Sequence, residues 1–242
     1  MYKNRLNYYI YEMQNESVKA LIVGVGGGLS LSLAKLFYKE GMSISLAARN
    51  TEKLVNLKKE LNANVFKCDA SSPNEVKNLF NELDAIDQEP NFVIYNPSSR
   101  VRGPIEELDI EKTRDALNVT SFGAFLVAQQ AVIRMKKKGY GSIFFTGASA
   151  SIKGFANSSV FGMGKFALRG LAQSLARELH PQNIHIGHFI IDGGIVSENR
   201  PYVKDDDKLC PDEIAQRYLE FYNQKRSTWS WEIEIRPWVE KF

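Results

Sequence analysis

The sequence contains few of the residues that bind metals or form disulfides. It has two cysteines and three histidines in 242 residues. Cys68 and Cys210 lie far apart without metal-ligand spacing, so we expect reduced thiols, a cytoplasmic location and no metal site. His180, His185 and His188 lie on or near one predicted strand and are interpreted as structural residues. Composition therefore argues against a disulfide-stabilised or metal-centred protein.

Long apolar runs, repeats and a strong charge imbalance are also missing. No apolar run approaches the ~20 residues that cross a bilayer. The tyrosine- and asparagine-rich residues 1–12 lack the apolar core of a signal peptide, and 1–17 is predicted to be an extension, disordered or draped over the surface. Net charge is only +3, and Lys136–Lys138 suits the end of a predicted helix. We therefore expect no membrane or nucleic-acid partner, and one domain over 18–242.

Strand-like and helix-like segments alternate along this domain. Such alternation is typical of an α/β protein with a doubly wound parallel sheet and helices on both faces. Ser72–Glu75 supplies an N-cap, a proline at the first helical position and a capping-box glutamate. The predicted strands are 19–23, 43–48, 64–68, 91–95, 142–146 and 184–191, with an edge strand at 231–235. The predicted helices are 29–40, 51–61, 73–83, 110–138 (as one helix or two), 158–179 and 211–226.

A glycine cluster separates the first predicted strand from the first helix. Residues 24–28 contain four glycines. Glycine allows positive φ and lets the backbone approach a pyrophosphate, which the helix N-terminus attracts. A plain tight turn is the alternative interpretation. The strand–turn–helix context favours a dinucleotide site, with Gly24, Gly28 and Leu29 as contacts.

The end of the second predicted strand indicates which nicotinamide dinucleotide binds. An acidic residue about 20 positions after the loop grips the ribose 2′-hydroxyl of NAD, whereas an arginine suits the 2′-phosphate of NADP. Counting on from Gly28 leads to Ala48, Arg49 and Asn50, without a carboxylate. Arg49 can pair with a phosphate through two donors. NADP is therefore expected over NAD, with an ordinary surface arginine as the alternative.

Residues 20–197 resemble the short-chain dehydrogenase/reductases, which have a Rossmann-like fold. The family loop reads Thr-Gly-x-x-x-Gly-x-Gly. Gly24 and Gly28 match its first two glycines, whereas Val23 replaces the threonine and Ser30 the last glycine. Since serine is small, we expect a modest cost rather than a lost site.

The resemblance implies further cofactor contacts along the chain. Asp69 matches the residue that contacts adenine, and Asn96 the wall after the fourth strand. Ile195 and Ser197 match the residues that hold the nicotinamide carboxamide, in a run where Asp192 stands in place of a proline.

The resemblance also locates a catalytic constellation, with two gaps. Family members reduce carbonyls with an asparagine, a serine, a tyrosine that gives the proton, and a lysine that lowers the tyrosine pKa and binds the nicotinamide ribose. Asn118 and Lys165 match two of them. The tyrosine position is Phe161 and the serine position is Ala148, with Ser149 one residue later as an alternative.

A phenylalanine cannot donate a proton, and general acid–base catalysis contributes typically 10²–10⁴-fold. One hypothesis is an NADP(H)-dependent oxidoreductase with a nonstandard proton donor that reduces a carbonyl or a conjugated double bond. The donors to consider are a water held by Lys165, Tyr95, Tyr202 and the substrate itself. The alternative is a catalytically silent NADP(H)-binding scaffold or sensor.

The resemblance also suggests partners. Segment 199–226 corresponds to the region that closes over substrate, and its aromatic residues favour a small, partly apolar substrate. Family members pack helices equivalent to 110–138 and 158–179 together, so we expect a homodimer or homotetramer. Gly162 and Gly164 would admit the cofactor or a neighbouring subunit's helix. The aromatic tail 229–242 should pack on the body or a partner.

Overall fold

The computed structural model describes residues 17–197 and 200–241, so the predicted extension 1–17 lies almost entirely outside the described residues. The strands are β1 (Lys19–Val23), β2 (Ser43–Ala48), β3 (Asn64–Lys67), β4 (Phe92–Tyr95), β5 (Gly141–Thr146), β6 (Ile184–Ile191) and β7 (Glu232–Ile235). They form one parallel sheet in the order β3–β2–β1–β4–β5–β6–β7. The order reverses between β1 and β4, and parallel sheets bind ligands at such a switch point.

Helices cover both faces of this sheet, which confirms the predicted doubly wound fold. One buried apolar cluster contains residues of α1, α2 and α7, and a second contains residues of α3, α5 and α6. The helices are α1 (Leu29–Lys39), α2 (Val55–Glu60), α3 (Pro73–Ala85), α4 (Ile110–Leu117), α5 (Gly123–Lys138), α6 (Ser159–Leu179) and α7 (Pro211–Tyr222).

Local sequence signals set several of the helix ends. Ser72 caps α3, because its Oγ accepts a hydrogen bond from the Glu75 N–H at 3.3 Å, and Pro73 follows it. The Glu75 carboxylate accepts from the Asp69 N–H at 2.8 Å, outside the expected capping box. Gly41 follows α1 with a φ of +82°, a conformation that glycine adopts without steric cost.

Two predicted helices differ in their extent. The segment 51–61 begins as a 3₁₀ turn, Glu52–Leu54, and becomes α-helical only in α2. Helix α7 ends at Tyr222, short of the predicted 226. The chain turns back there because the Gln224 carbonyl accepts a hydrogen bond from the Trp229 indole N–H at 3.0 Å.

The aromatic residues of α7 belong to the core. Tyr218 and Phe221 are buried against Phe189 and Phe144, and the ring centroids of Phe189 and Tyr218 lie 3.5 Å apart. Tyr222 packs against Phe92. We expected these three residues to face a substrate. That expectation is wrong, because their side chains pack against the sheet.

The segment 110–138 is two helices joined by a π-helical turn, Asn118–Phe122. Contrary to the expectation from apolar runs, this segment is long and apolar enough to cross a membrane by length and composition alone, a test that core helices also pass. Its inner residues, including Ala124, Val127 and Ala131, are fully buried against the sheet. The segment therefore has the packing of a core element on that side.

The C-terminal tail packs against β6, as expected for most of its length. Trp229 stacks on His185 with centroids 4.4 Å apart, and β7 pairs with β6 at the edge of the sheet. Trp238 is largely exposed, contrary to expectation, and Phe242 lies outside the described residues.

Candidate functional site

The glycine turn lies at the carboxyl end of β1, and Gly24 is its fixed point. Gly24 has a φ of +83°, and a Cβ atom there would lie 2.6 Å from Pro97 Cγ. A side chain is excluded on both grounds. Cβ atoms at Gly26, Gly27 and Gly28 would meet only open space. The turn therefore packs tightly on one side and leaves its backbone open on the other.

Ser30, which replaces a family glycine, holds this turn together. Its buried Oγ donates to the Gly24 carbonyl at 3.1 Å and accepts from Asn96 Nδ2 at 2.6 Å. The expected cost of a larger side chain is thus offset by two hydrogen bonds that join β1, α1 and the loop after β4. Asn96 has a positioning task in addition to its place in the pocket wall.

A large cleft of about 470 Å³ opens beside the turn. Its walls include Gly24, Arg49, Asn50, Lys53 and Asp69, so four predicted cofactor contacts meet in one place. Lys53 adds a second cation near Arg49. The sequence pattern did not indicate Lys53, because its position depends on the 3₁₀ turn that replaces the start of the predicted helix.

Asp69 is ionised, and one of its carboxylate oxygens already accepts hydrogen bonds within the chain. Its Oδ1 accepts hydrogen bonds from the Ser71 N–H at 2.9 Å and the Ser71 hydroxyl at 2.7 Å. Partial burial alone would raise the pKa of Asp69, but these bonds and the charge of Arg49 lower it below the ordinary value. The residue keeps its charge and faces the cleft.

Lys165 and Phe161 share one face of α6, as their spacing predicted. The buried Lys165 ammonium donates to the Thr146 carbonyl at 2.6 Å, and its Nζ lies 5.9 Å from the Phe161 ring centroid. Burial, together with the charge of Arg100, lowers the pKa of Lys165 to about 7. Both forms of the amine are therefore populated near neutral pH.

A small cavity of about 270 Å³ surrounds Phe161 and Lys165. Predicted contacts Leu29, Asn96 and Ile195 contribute to its wall. Other wall residues are Ala148, Thr146, Arg100 and Arg200. The predicted serine position is thus apolar, and Ser149 starts a 3₁₀ turn, Ser149–Ser151, outside the wall.

Arg100 and Arg200 were not expected from the sequence. The Arg100 guanidinium carbon lies 4.0 Å from the Phe161 ring centroid, within the range of a cation–π contact. Arg200 lies against Gly194, where a Cβ would approach Arg200 Cδ to 3.2 Å. Both come from irregular loops, so no helical or strand periodicity marks them.

Asn118 begins the π-helical turn, and single π-turns occur frequently at functional sites. Asn118 does not belong to the wall of either cavity, whereas the next residue, Val119, lines the large cleft. Tyr95 donates its hydroxyl to the Val119 carbonyl and is fully buried, which raises its pKa. Tyr95 is therefore wrong as a candidate proton donor.

Gly164 allows α6 to approach the π-helical turn within the same chain. A Cβ at Gly164 would lie 3.0 Å from Thr120, while one at Gly162 would meet only open space. Thr120 Oγ1 in turn accepts from the Ser99 N–H at 3.1 Å. We expected a cofactor or another subunit to approach Gly164 closely. Thr120 of the same chain occupies that space instead, and its hydrogen bond to Ser99 connects α6 to the loop that carries Arg100.

The loop after β6 is tied to the C-terminal strand. The buried Asp192 carboxylate lies 3.4 Å from Lys153 Nζ and 3.5 Å from an Arg236 guanidinium nitrogen, and its N–H donates to the Ile235 carbonyl. Ser197, in contrast, is exposed, and its backbone pairs with Arg200. Neither Ser197 nor Tyr202 belongs to the wall of the two cavities.

The sheet order and the glycine turn define a dinucleotide-binding class of protein. Residues 18–207 match the family model described as short chain dehydrogenase. The chain belongs to this family of oxidoreductases.

Individual relatives agree with that assignment. A short-chain dehydrogenase from Rhodopseudomonas palustris is 32% identical over 91% of this chain and 99% of its own, with a TM-score of 0.78. An alcohol dehydrogenase from Thermococcus sibiricus, complexed with 5-hydroxy-NADP, is 20% identical over 93% and 99%, with a TM-score of 0.82. The mouse 3-ketodihydrosphingosine reductase is 26% identical over 69% of this chain, which spans only 53% of that relative.

Proposed function

We propose that the protein is an NADP(H)-dependent oxidoreductase that reduces a carbonyl or a conjugated double bond without a tyrosine donor. The observation that carries the proposal is the buried Lys165, directed into a cavity beside the glycine turn and hydrogen bonded to a strand end. When bound, the reduced dinucleotide would supply the hydride. The residues of this chain would bind it, exclude water and provide the proton.

The preference for NADP rests on two cations. Arg49 and Lys53 both line the large cleft, and no carboxylate follows β2 where NAD-binding chains place one. A 2′-phosphate would gain charge-assisted hydrogen bonds from this pair. The neighbour from Thermococcus sibiricus, with its 5-hydroxy-NADP, is in line with this preference.

Lys165 is the best-supported proton source. It is the amine inside the small cavity, and its pKa of about 7 suits a group that must hold and release a proton near neutral pH. It would act directly or through a water that it holds. In carbonyl reduction, the carbonyl oxygen of the substrate would take this proton and become the hydroxyl of the product.

The proposal is tested by restoring the missing phenol. We expect Phe161→Tyr to raise NADPH-dependent reduction of small ketones by roughly 10²–10⁴-fold, because the phenol would lie beside Lys165. Phe155→Tyr is the matched control, since it adds the same hydroxyl at an exposed residue outside the wall of the small cavity. If calorimetry detects neither NADPH nor NADH binding at millimolar concentration, the proposed function is wrong.

A second candidate is a silent NADP(H)-binding scaffold or sensor. It is favoured because apolar residues, Phe161 and Ala148, stand at both the expected tyrosine position and the expected serine position of one cavity. Wild-type protein that binds NADPH but oxidises none of it with ketones or enoyl thioesters would favour this candidate.

The proposed enzyme would be a homodimer or homotetramer. Phe122 and Phe125 stack with centroids 6.2 Å apart, and both are more than 40% exposed. Met163 and Phe166 are exposed on α6 to a similar extent. These apolar side chains support an interface through the π-turn, α5 and α6.

A further inference from the structure

Two arginines face the small cavity without a partner charge. Within residues 17–197 and 200–241, no carboxylate forms an ion pair with the side chain of Arg100 or Arg200. Both arginines are partly open to solvent, as are Arg49 and Arg102, which also have no carboxylate partner among the described residues. Arg100 and Arg200 differ from those two because both line the small cavity that contains Lys165.

The wall of this cavity carries a concentrated positive charge. Lys165, Arg100 and Arg200 contribute three cations, and the described wall contains no aspartate or glutamate. Partial burial, and then the charges of Arg102 and Arg200, lower the pKa of Arg100. The like charges repel one another, and an anion in the cavity would relieve that repulsion.

Both arginine side chains pack against residues of the cavity wall. The Arg100 guanidinium lies over the Phe161 ring, and the Arg200 side chain lies against Gly194. The planar guanidinium groups match a carboxylate through paired hydrogen bonds. Phe161 thus lacks the acidic hydroxyl of a tyrosine, and its ring instead supports the Arg100 guanidinium.

We propose that Arg100 and Arg200 bind the carboxylate of the substrate, which makes the protein a reductase of small 2-oxo acids. This specificity rests on the proposed function. The oxo acid gains a hydride at its carbonyl carbon from the reduced dinucleotide and a proton at its carbonyl oxygen. The C=O π bond breaks, one C–H and one O–H bond form, and the dinucleotide is oxidised. The carboxylate is unchanged in the hydroxy acid product.

The adjacency of the two groups in a 2-oxo acid fits the geometry. The Arg100 guanidinium carbon and the Lys165 ammonium nitrogen both lie near the Phe161 ring, at 4.0 Å and 5.9 Å from its centroid. Both residues line one cavity of about 270 Å³ together with Arg200. A carboxylate bound by the arginines would therefore have its neighbouring carbonyl in the cavity that Lys165 lines.

The test compares a carboxylate with its neutral ester in the NADPH complex. We would measure binding and reduction of phenylglyoxylate and of methyl phenylglyoxylate by wild type, Arg100→Gln and Arg200→Gln. We expect wild type to favour the carboxylate at least tenfold, and each substitution to remove most of that preference while the NADPH affinity stays unchanged. Arg102→Gln is the control, because Arg102 lies on the same loop outside the cavity wall.

Each outcome separates the two proposals. Carboxylate preference without turnover would support the anion site and count against the reductase. Turnover with equal use of acid and ester, or no binding of either probe at 10 mM, would overturn the anion site. A loss of NADPH affinity in the arginine variants, without carboxylate preference, would assign the arginines to the cofactor diphosphate and also overturn it. Arg100→Lys, which keeps the charge, covers the case in which the glutamine variant does not fold.

Discussion

Replacing a phenol with a phenyl ring changes two properties of the small cavity. Phe161 removes the oxygen that family members use to deliver a proton, and it presents an unsubstituted face to the Arg100 guanidinium. The neighbouring Lys165 then has no phenol to assist. Because its pKa is lowered to about 7, the amine can itself hold and release a proton near neutral pH.

The first prediction concerns the pH dependence of reduction. The ammonium form of Lys165 must be present to give a proton, and it predominates below a pKa of about 7. We expect kcat/KM for carbonyl reduction to fall about tenfold per pH unit above that value. Steady-state rates from pH 6 to 9 would measure this, and a flat profile would contradict Lys165 as the donor.

The second prediction concerns the choice of cofactor. Arg49→Ala and Lys53→Ala should each weaken NADPH binding by roughly tenfold and leave NADH binding unchanged, because each removes a charge-assisted hydrogen bond to the 2′-phosphate. Calorimetric titration would show the effect. Lys58→Ala is the control, since this exposed lysine of α2 lies outside the cleft wall. Equal weakening of NADPH and NADH would argue against a 2′-phosphate contact.

At the scale of elements, the turn between β1 and α1 is the best-determined part of the site. Gly24 packs on Pro97, and Ser30 links the turn to Asn96. Rigidity here comes from the chain itself and is present before any ligand binds.

The third prediction compares two glycines of this turn. Gly24→Ala should lower the free energy of unfolding by about 1–3 kcal/mol, because its φ of +83° strains a side chain and its Cβ would overlap Pro97. Gly27→Ala should change it by less than about 0.5 kcal/mol, since its Cβ meets open space. Urea unfolding without cofactor measures both. Similar losses in the two variants would contradict the assigned role of Pro97.

Elements were predictable where local signals act alone. Apolar runs predicted β1, β2 and β6 with their observed bounds, and Ser72 predicted the start of α3. The π-helical turn was not predictable, because its form depends on tertiary contacts such as the Tyr95 hydroxyl on the Val119 carbonyl.

The candidate site divides along the same line. The glycine turn and the i, i+4 relation of Phe161 and Lys165 follow from sequence spacing. Lys53, Arg100 and Arg200 enter the cavities through a 3₁₀ turn and two irregular loops, whose backbone paths have no periodicity to read. Tyr218 shows the reverse error: an aromatic residue in a suitable segment belongs to the core.

At the scale of the whole molecule, acid stability depends on the junction of β6 with the tail. His185 stacks between Trp229 and Phe221, and its Nε2 lies 2.8 Å from the Ser230 carbonyl. Burial lowers the pKa of His185 to about 4, from an ordinary 6.5. The unfolded chain therefore takes up a proton at higher pH than the folded one, and stability falls as the pH drops from 6.5 towards 4.

The fourth prediction is that His185→Phe reduces this acid sensitivity. The variant keeps an aromatic ring in the stack but cannot bind a proton. Between pH 7.5 and pH 4.5 it should lose about 2–3 kcal/mol less unfolding free energy than wild type. Urea unfolding at the two pH values measures the difference. Parallel losses would show that other groups control acid unfolding.

The fifth prediction concerns assembly. Phe122→Glu with Phe125→Glu should convert the proposed homo-oligomer into a monomer, because two carboxylates would replace the exposed stacked rings. Light scattering measures the mass. A double substitution at exposed Lys58 and Lys59 of α2 serves as the control. A wild-type monomer would end the prediction.

Asp192, where relatives have a proline, changes how the rim of the cavity is kept in shape. A proline stiffens its own peptide unit, whereas this carboxylate anchors the rim to Lys153 and to Arg236, next to the last strand. The geometry of the cavity thereby depends on a residue that follows β7, at the edge of the sheet. Removing the Arg236 charge, or displacing β7, would loosen the mouth of the cavity from a distance.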